Sequence, residues 1–377
     1  MKSDIIETSI AVRGTEGTRR AISTFPSLVT LSNREVLLIC RVGSTKDSAD
    51  EIIEIRRSKD AGRSWGEPSA PFPGEWNGVR GSLKLAYLTE LPGGRLLAAL
   101  MWVNRAVHPG KPLFNAETEG CLPMAILIFE STDNGRSWGS GWQVPMPTSI
   151  GPPSLTAPLL RLPDGRLVMS IESNKRYDDP SPWLQFVSYF HSADHGRHWT
   201  GPTVVSQDPT GRIFNWDQRA GVAPDGRIFS FTWTYDSTTK KHVNIHRRIS
   251  ADGGMSWTAP ADLGITDQAG CPAILPDGRV VLPWVDRFGS HSIRVRAARG
   301  IDAPLEAGTE LELFRLETAV RKKSPEISTG ELLADMGLWT FGLPFAERMP
   351  DGDVLVAYYA GAATHMDICL ARLRITF

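Results

Sequence analysis

Short apolar runs alternate with tight polar turns along the chain, and the pattern occurs six times. Each repeat places a Pro-Asp-Gly or Gly-Gly type turn between two apolar runs, which predicts a β-hairpin whose glycine supplies a positive φ angle. Another strand-like run follows each hairpin, so every repeat holds at least three strands. The hairpin strings begin at residues 31, 91, 162, 223, 275 and 349 and read LSNREVLLI, LPGGRLLAAL, LPDGRLVMSI, APDGRIFSF, LPDGRVVLPW and MPDGDVLVAY.

An eight-residue phrase, S-x-D-x-G-x-x-W, follows the third strand in the first four repeats. It begins at residues 58, 131, 192 and 250, so the intervals are 73, 61 and 58 residues. Self-similarity at such a period indicates stacked supersecondary units. In a turn of this kind the Asp accepts backbone N–H bonds, the Gly takes a conformation that other residues resist, and the Trp packs on the sheet. Because the four phrases lie in four different units, their carboxylates cannot converge on one substrate, and we interpret them as structural.

The two patterns together predict an all-β fold: a six-bladed β-propeller of four-stranded antiparallel blades, forming a single domain over residues 1–377. The sixth unit ends at ARLRITF and lacks a fourth strand. The N-terminal run IIETSIAV precedes the first unit's own inner strand and is the expected donor of the missing one. We therefore expect it to pair with DICLARLRI and to close the ring, because an unpaired sheet edge there would favour aggregation.

Charge and cysteine content narrow the classes of partner. The chain has 41 basic and 42 acidic residues and a net charge of -1, so no summed field favours nucleic acid or an anionic membrane. The four cysteines are far apart and no nucleotide-binding glycine motif occurs, so we expect no metal and no cofactor. Buried thiols in a reducing compartment fit these cysteines. The N-terminus lacks a signal-peptide pattern, which predicts a cytoplasmic protein, or a secreted one if a leader has been removed.

The hairpin units and Asp phrases together resemble the sialidase (neuraminidase) superfamily, whose members carry such phrases as Asp boxes (BNR repeats). The resemblance spans the whole chain and implies an active site on the face opposite the Asp phrases. The string ICRVGSTKDSADEIIEIRRS is similar to the family segment that follows the first hairpin. By this resemblance, Arg41 helps to bind a substrate carboxylate and Asp47 is the general acid/base.

The chain departs from sialidases at positions that carry their chemistry. The family's Arg-Ile-Pro string, whose arginine grips the sialic acid carboxylate, is replaced here by a Thr-Phe-Pro string that begins at Thr24. Sialidases also use a tyrosine nucleophile assisted by a glutamate. The tyrosine's neighbourhood, GLWTFGLPFAERMPDG, holds Trp339 but no tyrosine, and the glutamate position falls near Asp217.

Loops on the predicted active face supply the candidate pocket. Bulky aromatic residues among paired charges suit a sugar, whose apolar faces stack on rings while its hydroxyls need donors and acceptors. Carboxylates in near-facing blades, Asp47 with Glu172 or Asp217 with Asp286, leave a two-carboxylate glycosidase mechanism open. The candidate binding residues are Arg41, Arg80, Tyr177, Trp216, Arg219, Arg287, Trp339, Tyr359 and His365.

We therefore expect an exo-acting glycoside hydrolase related to sialidases that acts on a terminal sugar, with an acidic sugar as one option. Two alternatives stay open: a non-catalytic carbohydrate-binding propeller, and a uronate-acting polysaccharide lyase in which a Tyr or His base replaces the carboxylates. In each case the partner is a carbohydrate, with no nucleic acid and no membrane. Two carboxyl groups across one pocket would favour hydrolysis, whereas aromatics and arginines without such a pair would favour binding.

The missing arginine predicts that this protein is a poor sialidase. In a dry pocket each charged hydrogen bond between an arginine and a carboxylate stabilises the complex by about 1.5 to 3 kcal/mol, so Thr24 at that position weakens the binding of sialic acid. We expect a fluorogenic sialoside to be hydrolysed at close to the uncatalysed rate. Efficient turnover of that reporter would refute the prediction.

Overall fold

The computed structural model describes residues 1–317 and 328–376, and β-strands make up about half of it. The α-helix in this part of the chain, α1, spans Thr329–Asp335, and 3-10 turns lie at Thr148–Ile150 and Ala307–Thr309. The strands of the first two repeats are β1 Lys2–Val12, β2 Ile22–Thr30, β3 Val36–Gly43, β4 Ile52–Ser58, β5 Glu75–Trp76, β6 Val79–Leu91, β7 Arg95–Asn104, β8 Met124–Ser131 and β9 Trp142–Gln143. Those of the next two are β10 Ser154–Leu155, β11 Leu160–Arg161, β12 Leu167–Glu172, β13 Phe186–Ser192, β14 Thr200–Gln207, β15 Ile213–Val222, β16 Ile228–Asp236, β17 Lys241–His242, β18 His246–Ser250 and β19 Ala261–Asp262. The last are β20 Gln268–Ala269, β21 Ala273–Ile274, β22 Val280–Asp286, β23 Ser292–Ala298, β24 Leu311–Arg315, β25 Phe341–Arg348, β26 Val354–Ala362 and β27 His365–Thr376.

The described strands form five sheets. Four sheets hold five strands each, namely β5 to β9, β10 to β14, β15 to β19 and β20 to β24. The fifth holds seven strands in the order β25-β26-β27-β2-β3-β4, with β1 beside β27. Within every sheet, consecutive long strands pair antiparallel, as the hairpin pattern predicts.

The number of separate blades differs from the prediction, although the all-β, propeller-like arrangement is confirmed. Four blades stand as separate sheets, whereas six were expected. The strands expected for the first and sixth blades share the seven-stranded sheet, because β2 and β27 meet in a parallel contact between Ile22 and Met366. Hydrogen bonding is therefore continuous between these two units.

The predicted closure by the N-terminal strand is confirmed. Strand β1 pairs antiparallel with β27 along nearly its whole length, from Lys2 opposite Thr376 to Val12 opposite Ile368. Two irregularities in register, near residues 6 and 11, let this long strand follow the twist of the sheet. The outer edge of β27 is thus covered, as the argument from exposed sheet edges requires.

Local turn chemistry explains why the hairpins form where they do. In the third repeat the Leu162 N–H donates to the carbonyl of Arg166 at 2.8 Å, and Gly165 takes a φ of 87°. The Asp164 carboxylate accepts the Arg166 backbone N–H at 3.0 Å and its Nε–H at 2.7 Å. Apolar side chains of the paired strands are buried between neighbouring sheets, which places the core in the seams of the ring.

The first strand of several hairpins contains a β-bulge at the end that faces away from the Asp phrases. The register shifts at Phe25 in β2, at Lys84 in β6, at Asp217 in β15 and at Leu343 in β25. Three of these residues have φ between 46° and 51°, in the left-handed region that non-glycine residues seldom occupy. A bulge re-aims a side chain, and such bulges are frequent next to active sites.

The Asp phrases form compact turns after β4, β8, β13 and β18, with a buried serine at the centre of each. In the third phrase the Ser192 hydroxyl accepts the Gly196 N–H at 2.8 Å and donates to Asp194 at 2.9 Å. Asp194 in turn accepts the backbone N–H groups of Arg197 and His198 at 3.1 and 2.9 Å. The same bonds recur in the other three phrases.

No helix in the described part of the chain has the length and apolar character that crossing a bilayer requires.

The buried serine of each phrase predicts a stability effect without an effect on chemistry. In Ser192→Ala the buried Gly196 N–H loses its acceptor, so the free energy of unfolding should fall by about 1 to 3 kcal/mol. Turnover per folded molecule should not change, because the phrase lies on the opposite face from the cavity described below. Denaturant unfolding measures the first quantity, and Ser181→Ala, at an exposed serine bonded to Asp179, is a control expected to stay within about 0.5 kcal/mol. A stable Ser192→Ala variant would contradict this account.

Candidate active site

A cavity of about 650 Å³ opens on the face where the bulged strands begin. The first strand of every hairpin contributes to its wall, so the cavity lies on the axis of the ring. Loops that follow the second strands, the segment 111–117 and α1 complete it. The residues from the first strands are Phe25, Lys84, Leu85, Ser154, Leu155, Trp216, Asp217, Gln268 and Leu343.

Two carboxyl groups, Glu172 and Asp217, lie side by side in this wall. Glu172 is the last residue of β12, and its Oε1 accepts the Gln218 backbone N–H at 2.8 Å. The Asp217 backbone N–H also bonds to the Glu172 carboxyl group. Both amides belong to the β15 bulge, where Asp217 has a φ of 47°. The bulge therefore brings a carboxylate of one sheet against a carboxyl group of the next.

The surroundings of Glu172 favour its protonated form. Its side chain is buried, with 7% exposure, and burial is the largest cause that raises its pKa to about 8; the neighbouring Asp217 charge is the next. The two backbone N–H bonds and the more distant Arg219 act in the opposite direction and do not compensate. A protonated carboxyl group beside a second carboxylate is the arrangement that general acid catalysis needs.

Asp217 is held by side chains on two sides. Arg219 Nη2 lies 3.4 Å from Asp217 Oδ1, and the Gln268 side-chain amide donates to Oδ2. Arg219 is itself fixed by the carbonyl of Thr156 and by the hydroxyl of Tyr87, at 3.1 Å from the latter. These contacts leave Asp217 half-buried and in the cavity wall.

Asp47 lines the cavity as predicted, but its surroundings conflict with a role as proton donor. It accepts bonds from Lys84 Nζ at 3.2 Å, from Arg105 Nη2 at 2.6 Å and from the Leu113 N–H at 2.6 Å. Burial acts to raise the pKa of Asp47, but the charges of Lys84 and Arg105 outweigh it and hold the pKa well below its ordinary value.

Arg41 is also placed differently from the expectation. Its side chain is fully buried, forms an ion pair with Glu51 and donates to the Lys46 carbonyl at 2.6 Å. Glu51 further contacts Lys84 at 2.9 Å and Arg105 at 3.3 Å. Arg41 does not line the cavity, because this internal network uses it to support the loop that carries Asp47.

A second set of charged groups lines the same cavity. Lys46 Nζ contacts the Tyr359 hydroxyl at 3.1 Å and the Trp339 carbonyl. Arg287 stacks on the Trp339 ring with 3.8 Å between its guanidinium carbon and the ring centroid. Burial, followed by the charges of Arg287, Arg41 and Lys84, holds the pKa of Lys46 well below its ordinary value. Within residues 1–317 and 328–376, neither Lys46 nor Arg287 has a carboxylate at ion-pair distance.

Five predicted residues lie outside the cavity wall: Arg41 and Arg219, whose contacts are given above, and Arg80, Asp286 and His365. Arg80 is exposed at the start of β6, where its backbone pairs with Glu75. Asp286 caps the turn that follows β22 by accepting the N–H groups of Gly289 and Ser290 at 2.8 and 2.9 Å, so it does not face Asp217 as a catalytic partner. His365 is likewise absent from the wall. The predicted residues that do line the cavity are Asp47, Glu172, Tyr177, Trp216, Asp217, Arg287, Trp339 and Tyr359.

An apolar wall closes one side of the cavity. Trp183 and Trp216 have ring centroids 6.0 Å apart, and Trp216 and Trp233 6.1 Å apart. Leu332 and Leu333 of α1 pack on the same cluster. Indole rings of this kind suit the apolar faces of a sugar ring.

Several wall residues were missed by the sequence interpretation. Gln268 and Lys84 occupy first strands, as Asp217 does, in the strings DQAGCPAIL and GSLKLAYL. Trp183 lies in the same loop as Tyr177, between second and third strands. No hairpin or phrase pattern marks α1, which comes from an insertion between β24 and β25. No group of three or more His, Cys, Asp or Glu residues in the described chain is arranged to hold a metal ion.

Comparisons with known proteins agree with the fold. No model of a known protein family and no curated protein sequence matches this chain. Among solved structures, a Dyadobacter fermentans protein of unknown function is 21% identical over 99% of both chains, with a TM-score of 0.75. The Ruminococcus gnavus intramolecular trans-sialidase, solved with oseltamivir carboxylate, is 13% identical over 98% of both chains, with a TM-score of 0.67. A Penicillium chrysogenum α-L-arabinanase, solved with arabinobiose, is 14% identical over 98% of both chains, with a TM-score of 0.64. The chain therefore has a sialidase-like β-propeller fold that is shared with glycoside hydrolases.

The raised pKa of Glu172 predicts how stability depends on pH. Below about pH 4.5 the group is protonated in both states, and above about pH 8 it is ionised in both. Between these values only the folded state keeps the proton, so the free energy of unfolding falls as pH rises, by up to about 1.4 kcal/mol per pH unit. Glu172→Gln lacks this loss, so its stability relative to the wild type should grow between pH 4.5 and 8. Denaturant unfolding across this range measures the difference, and a difference independent of pH would contradict the assignment.

Proposed function

We propose that this protein is an exo-acting glycoside hydrolase in which Glu172 donates the proton and Asp217 is the ionised partner. The observation that carries the proposal is the pair itself: a buried Glu172, whose pKa is raised by burial and by a neighbouring charge, beside an Asp217 held by Arg219 and Gln268, in one cavity. Two carboxyl groups with different protonation states are the common requirement of glycoside hydrolysis. The fold shared with a trans-sialidase and an arabinanase supports this class of chemistry.

The chemistry follows from the two protonation states. Glu172 transfers its proton to the glycosidic oxygen as the bond from that oxygen to the anomeric carbon breaks. Asp217 acts on the anomeric carbon from the cavity wall, either directly or through a water molecule whose proton it accepts, and the distance between the carboxyl groups around bound sugar selects the route. If Asp217 attacks directly, it forms an ester with the sugar, and the Glu172 carboxylate then takes a proton from the water that cleaves this ester, which restores both groups. If a water molecule attacks, Asp217 ends with the proton of that water, and loss of this proton to solvent together with uptake of a proton by Glu172 restores the pair.

Tyr359 does not replace the tyrosine nucleophile of sialidases. Its hydroxyl contacts Lys46, and burial raises its pKa, so the group stays protonated at neutral pH. A protonated phenol is a weak nucleophile. The protonated hydroxyl of Tyr359 therefore favours a two-carboxyl mechanism over the sialidase route.

The substrate class that we propose is a terminal sugar with a carboxylate. Lys46 and Arg287 face the cavity without a carboxylate partner, while Arg105 and Lys84 are neutralised by Asp47 and Glu51. Burial is the largest cause that holds the Lys46 pKa down, followed by the charge of Arg287, and an anion bound between these two groups would offset the repulsion between them. The carboxylate would then lie between Lys46 and Arg287, with the sugar ring against the indole wall.

Replacing Glu172 tests the proposal directly. A panel of 4-methylumbelliferyl glycosides that includes glucuronide, galacturonide and neutral sugars identifies the substrate, and we expect a uronide to be cleaved fastest. Glu172→Gln should then lower turnover by about 100-fold to 10,000-fold, since that is the usual contribution of a positioned acid. The loss should be smallest for the leaving group that is already the most acidic, because that group needs least protonation.

Glu347→Gln is the matched control. Burial raises the pKa of Glu347 to about 7, yet this residue does not line the cavity, so its replacement should leave turnover unchanged. Wild-type rates in Glu172→Gln would contradict the assignment of the acid. Binding of a uronide without any turnover would instead identify a carbohydrate-binding propeller, and an unsaturated product would identify a lyase.

A further inference from the structure

Gln268 links the carboxyl pair to the cationic side of the cavity. It is the first residue of β20, its side chain lines the cavity, and only 1% of it is exposed. Its Nε2 donates to Asp217 Oδ2. Its Oε1 accepts from Arg287 Nε at 3.1 Å and also from Arg287 Nη2. Gln268 therefore joins two groups that carry opposite charges and belong to different sheets.

The orientation of this amide is fixed by chemistry. A guanidinium group can only donate hydrogen bonds, so the Gln268 oxygen must face Arg287. The amide nitrogen is then left for Asp217, and because that nitrogen can only donate, Asp217 must accept. An ionised carboxylate accepts such a bond more strongly than a neutral carboxyl group does.

Arg287 cannot turn away from this contact without losing other bonds. Its Nη1 donates to the Phe341 carbonyl at 3.0 Å, and stacking of the guanidinium group on the Trp339 ring fixes the guanidinium plane. The backbone N–H groups of Arg287 and Phe288 donate to the buried Asp267 carboxyl group at 2.9 and 3.3 Å. The donor that Gln268 presents to Asp217 is thus set by a rigid neighbour.

We propose that Gln268 is a positioning residue that keeps Asp217 as the ionised member of the pair and so leaves the proton on Glu172. It acts through Asp217 and need not touch the substrate. This inference rests on the proposed function for its catalytic meaning, but the division of protons between the two carboxyl groups is a property of the protein alone.

Other titratable and charged groups around Asp217 also affect the division of protons between Glu172 and Asp217. They come from several elements: the carboxyl group of Glu172 in β12, the guanidinium of Arg219 in β15, that of Arg287 after β22, and the phenols of Tyr87 in β6 and Tyr359 in β26. Substitution of Gln268 leaves all of these groups in place. A change in titration can therefore be assigned to removal of the amide.

Gln268→Met removes both hydrogen bonds at nearly constant volume. Loss of the donor destabilises the Asp217 carboxylate, so both protonation steps of the pair should move to higher pH, by about 1 pH unit. Infrared difference spectroscopy during a pH titration measures the two midpoints, and Glu172→Gln and Asp217→Asn identify the bands. On the best aryl glycoside, the acid limb of kcat/KM should move the same way, and kcat should fall about 10-fold to 100-fold, the effect of removing one hydrogen bond to a charged group.

Gln185→Met is the matched control for a merely structural effect. Gln185 is another buried amide, with 2% exposure, and it bridges the backbone N–H and carbonyl of Asn215 at 2.9 and 2.8 Å without contacting a carboxylate. Its replacement removes the same chemical group beside the same strand, β15. We expect it to lower stability and to leave the two midpoints unchanged.

Gln268→Glu supplies a rescue. As a neutral acid its O–H donates to Asp217 and its carbonyl oxygen accepts from Arg287, which reproduces both bonds of the amide; once ionised it faces Asp217 with a second negative charge. Activity should therefore approach the wild-type value at pH values below the pKa of the new carboxyl group. It should fall at pH values above that pKa. Should Gln268→Met not fold, Gln268→Asn, whose amide cannot reach both partners, gives the same comparison of midpoints.

Two results would overturn the inference. One is a pair of midpoints in Gln268→Met, or in Gln268→Asn, that is unchanged or lower than in the wild type. The other is an equal shift in Gln185→Met. If the wild type cleaves no glycoside, the proposed function fails, but the infrared midpoints still decide whether Gln268 sets the ionisation of Asp217.

Discussion

The β-bulges in the first strands are the constraint on which the cavity depends. A regular strand presents its side chains alternately to the two faces of its sheet, and none of them along the axis of the ring. The bulges at Phe25, Asp217 and Leu343 force a left-handed backbone conformation on residues other than glycine, and each of these side chains lies in the cavity wall. Strain of this kind persists only where the surrounding structure holds it. In β15 it also brings two backbone N–H groups to Glu172.

Burial has opposite results for the carboxyl groups of the cavity because their partners differ. Asp47 has lost most of its water, but Lys84 and Arg105 more than replace it, so the group stays charged. Glu172 has lost its water and gained only backbone amides and a second carboxyl neighbour, so it keeps its proton. The loop position of Asp47 resembles that of the sialidase acid, yet its chemical environment is that of a structural ion pair. Asp47 therefore matches the sialidase acid in its place along the chain but differs from a proton donor in its surroundings.

The hairpins, the closing strand and the face of the site could be predicted because each follows from a local pattern. Pro-Asp-Gly turns fix a hairpin without reference to the rest of the chain, and Glu172 and Asp217 each follow from their place in a repeat. Their pairing with one another could not be predicted, since it depends on the register shift in β15. Nor could the partners of Asp47, because Lys84 and Arg105 come from the next sheet. The joining of the first and last units depends on one contact between Ile22 and Met366, which no sequence pattern records.

The wall of the cavity is built partly from strands and partly from the loops that connect them. The consecutive residues Trp216, Asp217, Gln218 and Arg219 each serve a different contact, so the loss or gain of one residue in β15 would displace them all. The segment 111–117 and α1, by contrast, belong to loops that connect strands. Such loops can change in length without altering any strand register. Changes in those two segments would therefore alter the shape of the cavity while Glu172, Asp217 and Gln268 stay in place.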